Sequence, residues 1–269
     1  MEKVVLLTGG SSGIGAATAR ILAGKGMIVY AGSRRGTIEG VSADNIIPVK
    51  LDVNDEELTH KVVADIVKKE GKLDAVICNA GMGIYGPVEG TTDEEVRLQF
   101  ETNYFGALKT IRACLPVFRS QGSGRIITVS SVMGVLQLPF QGFYSSAKAA
   151  LLSISQSLSM ELAGSGIECC CILPGDVATG FTSARRFTGS AKDASLPYGK
   201  DMERNLRKIE ADERGGMAPE AIGMAIARQL ERKHMKVRVI PGFSYKAVGF
   251  VVRVLPEKFK LKLLRVLYT

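Results

Sequence analysis

Val4-Val5-Leu6-Leu7-Thr8-Gly9-Gly10-Ser11-Ser12-Gly13-Ile14-Gly15 is the stretch that decides the fold. Its apolar start reads as a buried strand, its glycines as a tight turn, and Ala16 carries on a helical pattern spanning 13–25. Glycine allows the turn and lets the backbone approach a pyrophosphate, which would rest on the positive end of the following helix. Gly9, Ser11, Ser12, Gly13, Ile14 and Gly15 are therefore candidate phosphate-cradle residues.

The same stretch also contains Gly9-Gly10-Ser11-Ser12-Gly13, a G-x-S-x-G of the kind that presents a hydrolase nucleophile on a strand-to-helix turn. A base is missing. The chain has two histidines. His60 falls in a mid-chain helical pattern and His234 precedes the last strand, at the opposite edge of the sheet. The hydrolase reading is set aside.

Outward from this turn, short β-branched runs (4–8, 28–31, 46–51, 75–78, 125–130, 168–173 and 237–240) alternate with helical patterns at 13–25, 55–70, 93–119, 143–163 and 218–232. This rhythm predicts an α/β chain. Its residues 1–242 should form a single Rossmann-type domain, a doubly wound parallel sheet of about seven strands with helices on both faces. Residues 176–216 break the rhythm and read as a substrate lid or a disordered loop. Residues 243–269 are separate in character, with six Lys/Arg against one Glu out of a net charge of +8. No basic stripe with aromatic platforms lies elsewhere, so nucleic-acid binding is not expected. Cys169, Cys170 and Cys171 point alternately to opposite faces of a strand, and Cys78 and Cys114 stand alone. That pattern fits neither disulfides nor a zinc site, and no metal is expected. The apolar runs, of which Ala247–Val252 is typical, fall short of the ~20 residues of a membrane span. The start of the chain shows no signal-peptide pattern, so a cytoplasmic protein is expected.

Chemistry is carried by a second constellation. Tyr144 and Lys148 are four apart at the start of a helix and share a face. Ser131 closes a strand thirteen residues earlier. All three therefore open toward the carboxyl edge of the sheet, where the glycine turn also lies. A phenol with pKa ~10 is a poor proton carrier at neutral pH. A nearby ammonium favours its phenolate, and a serine hydroxyl can orient a substrate oxygen beside it.

With these residues in place, the chain closely resembles the short-chain dehydrogenase/reductases over essentially its whole length, in particular their hydroxysteroid and retinol dehydrogenase branch. Thr8–Gly15 matches the family's T-G-x-x-x-G-x-G and Asn79-Ala80-Gly81 its N-A-G, with Cys78 where Asn is common. Ser131, Tyr144 and Lys148 match its Ser and Y-x-x-x-K. Asn103 matches the asparagine that holds a proton-relay water, and Pro174-Gly175-Asp176-Val177-Ala178-Thr179 resembles P-G-x-x-x-T. The resemblance implies hydride transfer between a nicotinamide and a carbonyl or alcohol carbon. Tyr144 would be the acid or base and Lys148 would lower its pKa and hold the ribose, with Ser131 on the substrate oxygen and Asn103 on the water chain. Asn79, Ala80, Gly81, Pro174, Gly175, Val177 and Thr179 would contact the cofactor, and Asp52, with Val53 beside it, the adenine.

The acid that grips the ribose in NAD enzymes is missing after the second strand; Ser33, Arg34 and Arg35 stand there instead. A guanidinium suits the extra phosphate, so NADP(H) is expected over NAD(H). Val132, Met133, Val135, Leu136, Leu138, Pro139, Phe140, Phe143, Met82, Ile84, Tyr85 and Phe181 surround the motifs and suit a hydrophobic secondary alcohol or its ketone, such as a steroid, retinoid or long-chain lipid. Some of these side chains are open to a core reading. Arg185 and Arg186 read as solvated lid residues, or as partners of an acidic substrate tail. Lys258, Lys262 and Arg265 line one face of a tail helix whose other faces carry Phe259, Leu263, Val266 and Leu267. Peripheral membrane contact through 256–269 and packing on the protein both remain open. The helices at 93–119 and 143–163 carry apolar faces, such as the stripe Ala147, Leu151, Ile154, Leu158, Leu162, and because the equivalent helices build dimers and tetramers in the family it resembles, the resemblance implies a homodimer or homotetramer. The alternatives are an NADP(H) sensor without catalysis, or a reductase of small carbonyl compounds.

Overall fold

A computed structural model describes residues 2–38, 43–192, 196–246 and 254–269. The run Ala247–Val252 lies outside the described residues. The strands are β1 (Val4–Thr8), β2 (Ile28–Ser33), β3 (Ile46–Lys50), β4 (Ala75–Cys78), β5 (Ile84–Tyr85), β6 (Gly124–Val129), β7 (Ile167–Ile172), β8 (Arg186–Phe187) and β9 (Arg238–Val239). The α-helices are α1 (Gly13–Gly24), α2 (Glu56–Glu70), α3 (Asp93–Phe100), α4 (Gly106–Gln121), α5 (Gly142–Glu161), α6 (Gly199–Arg214), α7 (Pro219–Glu231) and α8 (Glu257–Tyr268).

Seven strands form one parallel sheet in the order β3-β2-β1-β4-β6-β7-β9. The chain winds outward from β1 in one direction, then restarts at β4 in the other. The carboxyl ends of β1 and β4 therefore part, leaving the crevice in which such sheets bind ligands. Alternation of side chains sorts the core into two layers. Leu6, Val76 and Ile126 pack with α2, α4 and α5 on one face. Val5, Leu7 and Ile77 pack with α1 and α7 on the other. Both faces are covered, which explains strands that are apolar throughout. The five cysteines are free and buried, with Cys169 on the first face and Cys170 on the second.

Local chemistry sets the helix ends. Asp55 caps α2 by accepting from the Leu58 N–H at 2.9 Å. Thr92 and Glu95 form a reciprocal capping box on α3. The pattern at 93–119, expected as one helix, is three pieces, because a π turn over Glu101–Phe105 separates α3 from α4. The inserted residue turns Asn103 inward, where it is buried.

The 176–216 segment, expected as a lid or a disordered loop, carries β8 and α6 in its described part. β8 pairs with β5 beneath it. α6 caps a small cluster in which Tyr85, Met202 and Ile209 pack with Leu138, Phe140 and Tyr198. The Tyr85 hydroxyl lies 2.8 Å from the Met202 carbonyl and 3.0 Å from Asn205 Oδ1, pinning α6 to β5. The α5 stripe faces inward: Leu151 and Leu162 are buried in the first core layer, and Ile154 and Leu158 pack against it. That stripe is spent inside the chain. The outward apolar side chains near it are Phe105, 44% exposed, and Met160, 72% exposed.

Candidate active site

The glycine turn is built by close approach. Gly9 has φ +66°, and a side chain there would meet Ala80 Cα at 2.8 Å. At Gly15 a Cβ would lie 2.0 Å from the Gly9 carbonyl oxygen, so the helix can start here only without one. Asn79 fastens the turn to the end of β4, its amide donating to the Thr8 and Gly9 carbonyls, both at 3.1 Å. The Thr8 hydroxyl accepts from the Asn79 and Ala80 N–H groups. Ser12 makes no side-chain cap on α1. The first N–H groups of that helix, with their partial positive charge, are thus left for an anion.

From this turn a cavity of about 500 Å³ runs along the carboxyl edge. One end is walled by Gly9, Ser11–Ile14, Ser33, Arg34, Asp52 and Val53, and the other by Ser131, Tyr144, Lys148, Phe181 and Glu213. Asn79–Gly81 and Pro174, Gly175, Val177 and Thr179 line the stretch between. Gly15 is buried behind the turn, and Arg35 is exposed on the same loop as Arg34, outside the cavity wall. The Ser33 hydroxyl accepts from the Gly36 N–H at 3.1 Å and donates to the Thr37 carbonyl at 3.3 Å, so it shapes the turn that presents Arg34. An extended cavity with helix N–H groups and a guanidinium at one end, and a phenol at the other, fits a dinucleotide.

Lys148 is buried and donates to the Val129 carbonyl at 2.9 Å, with its Nζ 5.8 Å from the Tyr144 ring centre. Burial lowers its pKa to about 8. Burial likewise pushes Tyr144 up to about 12, and the influence that opposes this most is the hydrogen bond from Ser131. The expectation that Lys148 sets the phenol's pKa is corrected here: in the protein itself Ser131 is the group that most favours the phenolate. Arg185 favours it as well, more weakly than Ser131. Ser131 Oγ also accepts from the Met133 N–H at 3.1 Å. Asn103 lies behind the wall, its amide spanning both backbone groups of Met82 at 2.8 Å.

The apolar wall is smaller than expected. Met82, Val132, Met133 and Phe181 line the cavity, whereas Ile84, Tyr85, Leu138 and Phe140 pack in the protein beneath the lid. Arg185 is also corrected: it is a buried residue paired with Glu213, not a solvated one. Glu213 further accepts from the Thr182 hydroxyl at 2.6 Å and lines the cavity, as do Asp176 and Arg186. Gln141 lines it too, with a buried side-chain nitrogen that has no hydrogen-bond partner among the described residues. It sits beside Phe140, the one described non-glycine residue with positive φ, at 62°. Sequence reasoning missed Gln141 and Glu213. The first lies three residues before Tyr144 and was findable there; the second reaches the site only because α6 folds back over it.

The family model for short chain dehydrogenase matches residues 3–188. The chain belongs to the short-chain dehydrogenase family. This short-chain dehydrogenase is 39% identical over 264 residues to a 3-ketodihydrosphingosine reductase of Bacteroides thetaiotaomicron, covering 96% of this chain and 92% of that one. It is 36% identical over 199 residues to an uncharacterized oxidoreductase, YbbO, of Escherichia coli, covering 73% and 74% of the two chains. A short-chain dehydrogenase from Streptomyces avermitilis has the same fold, with TM-score 0.84 and 29% identity across 97% of this chain and 95% of that one. The protein is thus an oxidoreductase of a nicotinamide-using family.

Proposed function

We propose that this short-chain dehydrogenase is an NADP(H)-dependent reductase of a long-chain lipid ketone. The observation that carries the substrate class is the near full-length similarity to a 3-ketodihydrosphingosine reductase. The cavity supports it, since Met82, Val132, Met133 and Phe181 offer an apolar surface beside Tyr144. Asp176, Glu213 and the buried amide nitrogen of Gln141 give the same end a polar patch suited to an amino-alcohol head group. Arg34 at the opposite end, with no acid on that turn, supports NADP(H) over NAD(H).

In this reading the glycine turn and the start of α1 hold the pyrophosphate, and Arg34 holds the extra phosphate. Asp52 and Val53 border the adenine, and Pro174, Gly175, Val177 and Thr179 the nicotinamide carboxamide. The bound nicotinamide supplies the hydride. Tyr144, kept protonated by burial, donates its proton to the ketone oxygen as negative charge develops there. Ser131 orients that oxygen, and the Lys148 ammonium steadies the phenolate left behind. Asn103 fixes the Met82 backbone at the wall. Copies of the chain associate through the outer faces of α4 and α5.

The test is the initial rate of NADPH and NADH consumption against long-chain 3-keto amines, steroid and retinoid carbonyls and small ketones. Turnover of a long-chain ketone with NADPH, lost at least a hundredfold in Tyr144→Phe while NADPH binding stays within about twofold, is the expected result. Turnover of small ketones alone, or an unimpaired Tyr144→Phe, would overturn the reading.

A further inference from the structure

The extension that follows β9 touches the cavity wall at one place and, at a second, the helix α6 that carries the wall residue Glu213. Tyr245 covers Gly175, and its hydroxyl donates to Asp176 at 2.7 Å. At the far end, α8 grips the lid helix α6. The Tyr268 carbonyl accepts from the Asn205 amide at 2.9 Å, its hydroxyl donates to Asp212 at 3.3 Å, and Lys208 lies 5.8 Å from its ring centre. Arg204 also donates to the Thr269 carbonyl. Asp212 adjoins Glu213, which lines the cavity.

α8 docks by one stripe only, Lys260, Leu264 and Tyr268, one turn apart on the helix. Lys260 is buried and paired with Glu257 at 2.8 Å. A second stripe is left facing outward. Phe259 is 68% exposed, Leu263 49%, Val266 72% and Leu267 53%. Four large apolar side chains on one helical face are more than a stray exposed residue, and they call for a cover. Beside them runs a third stripe, Lys258, Lys262 and Arg265, which makes no ion pair among the described residues. A protein core would leave those three cations without partners. An anionic lipid surface covers the apolar stripe and neutralises the basic one together. No described helix is long and apolar enough to cross a membrane, so α8 can lie on the surface but not span it.

We propose that α8 seats this protein on an anionic lipid surface through Phe259, Leu263, Val266 and Leu267, and that its grip on α6 carries this contact to the lid over the cavity. A chain held in this way presents its lid to the phase in which a long-chain ketone dissolves. The seat itself does not depend on the substrate reading, and vesicle binding is measured without substrate, so either can fail alone.

The experiment is co-sedimentation of the full chain with phosphatidylcholine vesicles, with and without phosphatidylglycerol, alongside hydrogen exchange of 199–214. The expected result is pelleting only with phosphatidylglycerol, weakened by salt. Partition should fall about tenfold or more in Phe259→Ser/Val266→Ser, whose positions are exposed and leave the fold intact. Each of Lys258→Gln, Lys262→Gln and Arg265→Gln should lower it roughly fivefold. Amides of α6 should exchange faster on vesicles. Absent pelleting, equal pelleting of the apolar variant, or a variant that changes the size of an assembly of copies and not vesicle binding would overturn the seat. Unchanged exchange in α6 would overturn the coupling to the lid.

Discussion

Lys148 is 4% exposed, and burial works against its ammonium. Its folded pKa, about 8, is below the ordinary 10.5. Between those two values the unfolded chain binds a proton that the folded chain releases, so this residue makes stability rise with pH across that window. Lys148→Met is expected to be inactive yet more resistant to denaturant at pH 7, by up to about 3 kcal/mol, and to lose that pH slope. Chemical denaturation at pH 7 and pH 10 checks both. For the same reason, kcat/KM for reduction should be level below pH 8 and fall as pH rises through about 8, where Lys148 gives up its proton. Arg34 carries a separate prediction. Arg34→Ala should weaken NADPH about tenfold or more and NADH little, read by fluorescence titration, because one charge-assisted pair to the extra phosphate is lost.

At the level of elements, the glycine turn and the lid make opposite demands. The turn tolerates no side chain at Gly15, where an added Cβ meets a carbonyl oxygen at 2.0 Å. Gly15→Ala should therefore move α1 off the turn and lower cofactor affinity, measured by the same titration, far more than an alanine in a helix would suggest. The lid is held by a buried ion pair. Arg185→Leu leaves Glu213 buried with only the Thr182 hydroxyl, which should destabilise the lid by roughly 3–5 kcal/mol. Limited proteolysis should then cut within 176–216 while the sheet survives. That the 176–216 segment interrupts the strand-helix rhythm was legible in the sequence. Its helix α6 was not, because Tyr85 and Asn205, which pin it, are 120 residues apart. The π turn at Glu101–Phe105 was equally hidden, since one inserted residue barely disturbs a helical pattern of apolar positions.

For the molecule as a whole, the proposed association of copies through α4 and α5 predicts that light scattering gives a dimer or tetramer. It also predicts that Met160→Glu, placed on a 72% exposed apolar side chain, reduces it to a monomer with its fold retained. What the amino-acid sequence determined by itself was the repeating unit: parallel strands buried on both faces, the glycine turn at β1, and Ser131, Tyr144 and Lys148 at one edge. Those follow from short-range rules, the period of side chains along strand and helix and the space a glycine leaves. Only the tertiary structure decided which apolar residues are wall and which are core, that Arg185 is buried against Glu213, and that α8 spends one stripe on the lid and leaves another outside. Burial of those side chains depends on partners from distant parts of the chain, and the free energy of a charge or an apolar surface is set by what covers it once the chain has folded.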